Sequence, residues 1–212
     1  MRLTERDAQK QRESILNAAF EVFTTVGYSA AKMDMVSKLA NISRSPLYYY
    51  YSSKQELFKH VCQRYFDEYL EKMDRLYNEH PEQTIYERYF QLFMESLVPY
   101  YVKGSTLSTQ ILQGGEELSE LKELNSAYFS ELRKRDMQAL TRAQERGEIR
   151  GDANLESVVN FYYTVYLGLR APKLQEEFES KQHLEEVCWL AVHMLENLYA
   201  PEGWEKDRFR HK

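Results

Sequence analysis

Residues 33–58 read MDMVSKLANISRSPLYYYYSSKQELF, and the rest of the chain is read outward from them. Met33, Val36, Leu39 and Ala40 recur at spacings of three and four, the apolar face of a short helix. Asn41 follows, a residue type that tolerates the left-handed backbone of a tight turn. Ser43 is suited to cap the next helix, its hydroxyl accepting from the orphan amides of the first turn. Pro46 still lies in that turn, where its missing N–H costs nothing. Leu47 and Tyr51 are expected in the core, with Tyr50 on the core side of the same helix. Two short helices across a tight turn make a helix-turn-helix, whose second helix fits the DNA major groove, about 12 Å wide. Arg44, Ser45 and Pro46 at its start, and Tyr48 and Tyr49 one turn later, are then expected to face the duplex.

Toward the N-terminus, Ile15, Ala19, Val22, Phe23 and Val26 mark one face of a preceding helix, which Gly27 ends. Residues 1–54 carry eight basic residues against five acidic ones, a net of +3. The chain totals −5, so the remainder is −8. A basic head on an acidic body presents one end to phosphate and keeps the other off it.

Downstream, only helical periodicity is found. Ser52-Ser53-Lys54 opens a long helix with Phe58, Cys62, Tyr65, Phe66, Tyr69, Met73 and Leu76 on its apolar face, ended by His80-Pro81. Thr84 to Tyr101 is predicted as a further helix, Leu107 to Leu112 as a short one, and Leu121 to about Arg146 as a long one. Two helices close the chain, 155–169 and 184–198. Both are apolar across more than one narrow stripe, as expected of helices that also meet a second copy across a two-fold axis. Leu155, Val158, Tyr162, Val165, Val187, Ala191, Met194 and Leu198 are the expected dimer contacts. The charged residues after Pro201 are expected to fray. The fold class is all-α.

The stretch 33–58 resembles the tetracycline-repressor (TetR) family of bacterial transcriptional regulators. The likeness rests on Ala40, Ile42, Ser43, Leu47, Tyr48, Tyr50, Tyr51, Ser53, Lys54 and Leu57, joined by Ala18-Ala19, Phe23 and Gly27-Tyr28. It covers about residues 10–60. It implies a three-helix DNA-binding domain over 1–54 and a helical ligand-binding and dimerisation domain over 55–212. It further implies a homodimer on palindromic double-stranded operator DNA that acts as a repressor released by a small molecule, with activation left open. By resemblance, Tyr48 and Tyr49 contact the duplex and Lys54 pairs with phosphate. Two positions depart from the pattern: Ala31 replaces a capping Thr, and Pro46 offers only apolar contact where a base is often read. In the larger domain Phe66, Tyr69, Tyr89, Phe93, Tyr128, Tyr162 and Tyr166 are candidate ligand walls, suited to an apolar or aromatic effector.

Other classes find little support. Di-iron bundles need Glu three residues before His, and none of the five histidines has one. Glycine-rich phosphate loops and His-Glu-x-x-His are absent, so no catalytic residue, metal or cofactor is expected. Cys62 and Cys188 sit in apolar helical patterns and read as buried thiols. Met1 to Arg12 is too polar for a signal peptide, and no apolar run approaches the roughly 18 residues of a membrane span. A cytoplasmic protein is expected.

Overall fold

Gly27 marks the first decision of the fold. The N-terminal helix breaks there at φ 79° and ψ 159°, a conformation open to glycine and strained for any residue with a β-carbon. The computed structural model describes residues 5–97, 107–171, 177–178 and 180–205. Every regular element among them is a helix: α1 Glu5–Ala30, α2 Met33–Leu39, α3 Arg44–Tyr50, α4 Lys54–Glu79, α5 Ile85–Ser96, α6 Leu107–Gln113, α7 Ser119–Glu145, α8 Leu155–Leu169 and α9 Lys181–Tyr199. The all-helical expectation holds. The predicted helix 84–101 is seen as α5 with Leu97 as its C-cap; residues 98–101 lie outside the described residues, as do 206–212 of the tail expected to fray.

The chain forms two compact units. The first comprises residues 1–68 and 103–128, the second 69–102 and 129–212. In the first, α1 packs on α2 and α6, and α2 packs on α3. Ile15, Ala19, Phe23, Leu47, Leu57, Phe58 and Cys62 are at most 1% exposed and form its core. Each large apolar side chain among them contributes about 1.5–3 kcal/mol by leaving water. Phe23 and Phe58 meet edge to face at 4.8 Å. The break at Gly27 is spanned by the buried Gln110 side chain. Its Oε1 accepts from the Tyr28 N–H at 2.7 Å and its Nε2 donates to the Phe23 carbonyl at 2.9 Å. Not all of the expected face is buried: Leu39 is 54% exposed and Val26 39%, because a seven-residue helix and a helix nearing its break each have only part of a turn against a neighbour.

In the second unit α9 packs on α5 and α8. Ile85, Leu92, Phe93, Leu140, Val159, Leu184, Cys188 and Val192 are fully buried. Three helices begin with side-chain caps. Thr84 and Glu87 form a reciprocal capping box on α5, Asn154 accepts from Ser157 N–H, and Ser180 accepts from His183 N–H. Both cysteines are buried free thiols, as expected. No helix among the described residues is long and apolar enough to cross a membrane.

Candidate functional site

The turn after α2 closes by two backbone bonds. Asn41 N–H donates to Lys38 O at 3.2 Å and Ile42 N–H donates to Ser37 O at 3.0 Å, with Asn41 at φ 53°. This is a Schellman ending, and asparagine is among the few non-glycine residues that fill its left-handed position cheaply. The turn delivers the chain to Ser43, whose extended backbone starts α3. The expected side-chain cap is not formed: Ser43 makes no capping hydrogen bond. The reason is local. Pro46 occupies the third helical position and has no N–H to offer the hydroxyl.

Leu47 is fully buried and Tyr51 is 5% exposed, its ring 5.4 Å from that of His60. These two anchors turn the opposite face of α3 outward. Tyr48 is 49% exposed and Tyr49 83%. Arg44 and Ser45 are exposed and Pro46 is half-buried. The Arg44 guanidinium pairs with Asp34 of α2, an exposed ion pair worth at most about 1 kcal/mol. Tyr50 is half-buried rather than core, lying beneath the Arg12 guanidinium at 5.1 Å. Lys54 has a partner other than phosphate. Its ammonium donates to the Tyr28 carbonyl at 2.9 Å and sits 4.2 Å from the centre of the Tyr28 ring, tying the start of α4 to the end of α1. The first turn of α4 is held by Glu56, which accepts from Ser52 N–H and Oγ at 2.6 Å each; those bonds lower its pKa.

The expected ligand-wall rings fall into two groups. In the first unit Phe66 and Tyr128 stack at 4.0 Å. In the second, Tyr89 stacks on Tyr162 at 4.2 Å, Phe93 lies 5.1 Å from Tyr162 and 6.0 Å from Tyr166, and Tyr69 OH accepts from Ser96 Oγ at 3.1 Å. None of the seven lines the open cleft of about 640 Å³ that the first unit presents between Arg12, Tyr50, Tyr51, His60, Arg64 and Glu68.

The expected dimer contacts divide by burial. Val158, Tyr162 and Ala191 are 2%, 3% and 7% exposed, which corrects the sequence reading: they pack inside their own unit and offer a second copy little surface. Leu155, Val165 and Val187 are half-buried. Met194 and Leu198 are about half exposed and are joined by Leu190, four residues before Met194, and by Leu167 of α8. The helical spacing that marked the stripe could not say which side of it the chain itself covers.

Sequence reasoning also missed Asp136. Its neighbours along α7, Leu132, Ala139, Leu140 and Ala143, are at most 3% exposed, and Asp136 lies among them with no exposure at all. A lone carboxylate four residues after Leu132 and four before Leu140 was the available signal. Its oxygens accept from the hydroxyls of Tyr77 and Tyr163. Burial pushes its pKa up to about 6 despite those hydrogen bonds. Among the described residues no group of three or more His, Cys, Asp or Glu is placed to hold a metal ion.

Residues 15–61 match the family of bacterial regulatory proteins known as the tetR family. The transcriptional repressor NicS of Pseudomonas putida is 32% identical over 116 residues, which are 52% of this chain and 52% of NicS. The chain spans between 26% and 66% of the length of the curated relatives it matches. Among solved structures, a cysteine mutant of the TetR family regulator CifR bound to 26-base-pair operator DNA superposes with a TM-score of 0.70 at 22% identity, over 85% of this chain and 94% of CifR. SmeT of Stenotrophomonas maltophilia in complex with triclosan superposes at 0.68 and 21% identity, over 92% of this chain and 94% of SmeT. These structures share the fold. Residues 15–61, which hold the Schellman turn and the outward-facing α3, match the N-terminal domain of the tetR family of bacterial regulatory proteins.

Proposed function

We propose that the chain is a cytoplasmic transcriptional regulator that binds a palindromic operator as a homodimer, represses from it, and is released by a small-molecule effector. The observation that carries this reading is the outer row of α3. Tyr48 and Tyr49 stand out from a helix whose inner side is fixed by Leu47 and Tyr51, with Arg44 and Ser45 at the same end. Those five positions, Arg44, Ser45, Pro46, Tyr48 and Tyr49, are the proposed groove contacts, and Lys54 positions α4 beside them through Tyr28. The division of labour follows the helices: residues 1–54 read DNA, and 55–212 bind the effector and the second subunit.

The face a second copy would cover is the exposed apolar row Leu190, Met194 and Leu198 with Leu167. Two copies joined there carry two reading heads, which must reach major grooves about 34 Å apart. An effector that prefers another spacing then lowers DNA affinity by its differential affinity for the two states. The operator complex of CifR and the triclosan complex of SmeT give both halves of this reading a precedent on the same fold.

The deciding experiment is selection from a random duplex DNA pool followed by sequencing. The expected product is an inverted repeat with half-sites one helical turn apart. Failure of the folded protein to enrich any sequence would remove the reading. Placing glutamates at Leu190 and Met194 should convert the dimer to monomer on a sizing column; a persistent dimer would put the interface elsewhere.

A further inference from the structure

The cleft of about 640 Å³ in the first unit runs between α1, the end of α3 and α4, and it has the size of a small-molecule pocket. One group in its lining stands out. Tyr51 is 5% exposed, faces the cleft, and makes no hydrogen bond through its hydroxyl to any described residue. Its ring is held in place by the His60 ring at 5.4 Å. A phenol this deeply buried leaves its O–H one direction in which to find a partner, and whatever fills the cleft there must accept from it.

Two guanidiniums reach the same place from different helices. Burial raises the Tyr51 pKa, and the positive charges of Arg12 from α1 and Arg64 from α4 act against that rise, which places both close to the phenol. Arg12 lies 5.1 Å from the centre of the Tyr50 ring and makes no ion pair or hydrogen bond with a described residue. A cation resting on a ring keeps its N–H donors for another partner. Arg64 has Glu68 one turn on, at 3.4 Å and 65% exposed, a weak and solvated pair. A phenol O–H and two guanidiniums form a set of donors that suits an oxyanion, and the planar guanidinium fork suits a carboxylate.

The rim decides which oxyanion. Glu13 and Glu68 also line the cleft, Glu13 taking a hydrogen bond from Gln9 at 3.0 Å. Two negative charges beside two positive ones accept one further negative charge more readily than the two of a phosphate monoester or the row along a nucleic-acid backbone. Half-buried Leu16 gives the body of such a ligand an apolar wall. We propose that this cleft binds a small organic monocarboxylate, its oxygens held by the Tyr51 hydroxyl and the guanidiniums of Arg12 and Arg64. The site lies wholly within the first unit, and the proposal stands whether or not the chain reads DNA.

The test uses the full chain, benzoate, its uncharged counterpart benzamide, and inorganic phosphate, with binding followed by titration calorimetry at low salt. Benzoate should bind at least about tenfold tighter than benzamide or phosphate, the difference that a charge-assisted hydrogen bond makes. Tyr51→Phe removes only the unbonded hydroxyl and should weaken benzoate about fivefold with thermal unfolding unchanged. Arg12→Gln, at an exposed position, should remove most of the preference over benzamide. Equal affinity for benzoate and benzamide, or no benzoate binding in the millimolar range, overturns the proposal on the wild-type protein alone, whatever the variants do. Phosphate binding as tightly as benzoate overturns the ligand class. A benzoate affinity that neither variant moves puts the carboxylate elsewhere on the chain and overturns the site.

Discussion

Tyr48 and Tyr49 on α3 are 49% and 83% exposed, whereas Tyr77, Tyr89 and Tyr162 in the second unit are 7%, 1% and 3% exposed. The same side chain is put to opposite use. On α3 the ring is lifted from a helix too short to cover it, leaving both its π face and its hydroxyl for another molecule. In the second unit Tyr89 stacks on Tyr162, and Tyr77 donates its hydroxyl, with that of Tyr163, to the buried Asp136 carboxylate. Exposure keeps a phenol adaptable. Burial makes every hydroxyl need a partner and every charge need compensation.

The contrast can be broken experimentally. The largest effect is expected from Phe93→Ala, which empties a fully buried site against Tyr162 and should cost about 3–5 kcal/mol in denaturant unfolding. A loss below 1 kcal/mol would mean that the ring cluster is loosely packed and the contrast with α3 overstated. An intermediate effect is expected from pH. The Asp136 pKa is raised from its ordinary value of 3.8 to about 6, so between these limits the folded chain holds a proton that the unfolded chain releases. Asp136 therefore favours folding most below about pH 4, and that contribution declines as pH rises through about 6, by roughly 2–3 kcal/mol in all. The groups facing it are Tyr77 from α4, Tyr89 from α5, Arg133 from α7 and Tyr162 and Tyr163 from α8, and burial raises the pKa of each of these tyrosines, which stay neutral in that window. Unfolding curves of wild type and Asp136→Asn across pH 4 to 7 should diverge in that sense; parallel curves would show that the carboxylate is not desolvated.

The smallest effect on the fold is expected at Tyr49. Tyr49→Ala should leave thermal unfolding unchanged and weaken operator binding about tenfold or more, corresponding to the 1–3 kcal/mol typical of a groove contact. Unchanged DNA affinity would make the exposed ring a surface accident.

The helices were legible because their cause is local. Spacings of three and four, the turn at Asn41 and the glycine at position 27 each act within a few residues, and each is found where the pattern put it. The Ser43 cap was misread through a local detail too, since Pro46 removes one of the amides such a cap would serve. The stripe on α8 and α9 was legible as apolar but not as to side. Val158 and Ala191 look no different in sequence from Met194 and Leu198, and only packing against α5 and within the unit buries the first pair. Lys54 shows the same limit, for the family resemblance implied a phosphate partner, while in the fold its ammonium donates to the carbonyl of Tyr28, 26 positions away.

By itself the sequence determined the helices seen among the described residues, including the short helix that follows Ser43, because periodicity, turn residues and caps are properties of neighbours along the chain. Tertiary structure alone decided which rings face outward, which apolar residues are left uncovered, and that Asp136 meets Tyr77 and Tyr163 from two other helices. Those contacts join residues 27 and 59 positions apart, and no local spacing encodes the geometry in which such distant groups meet.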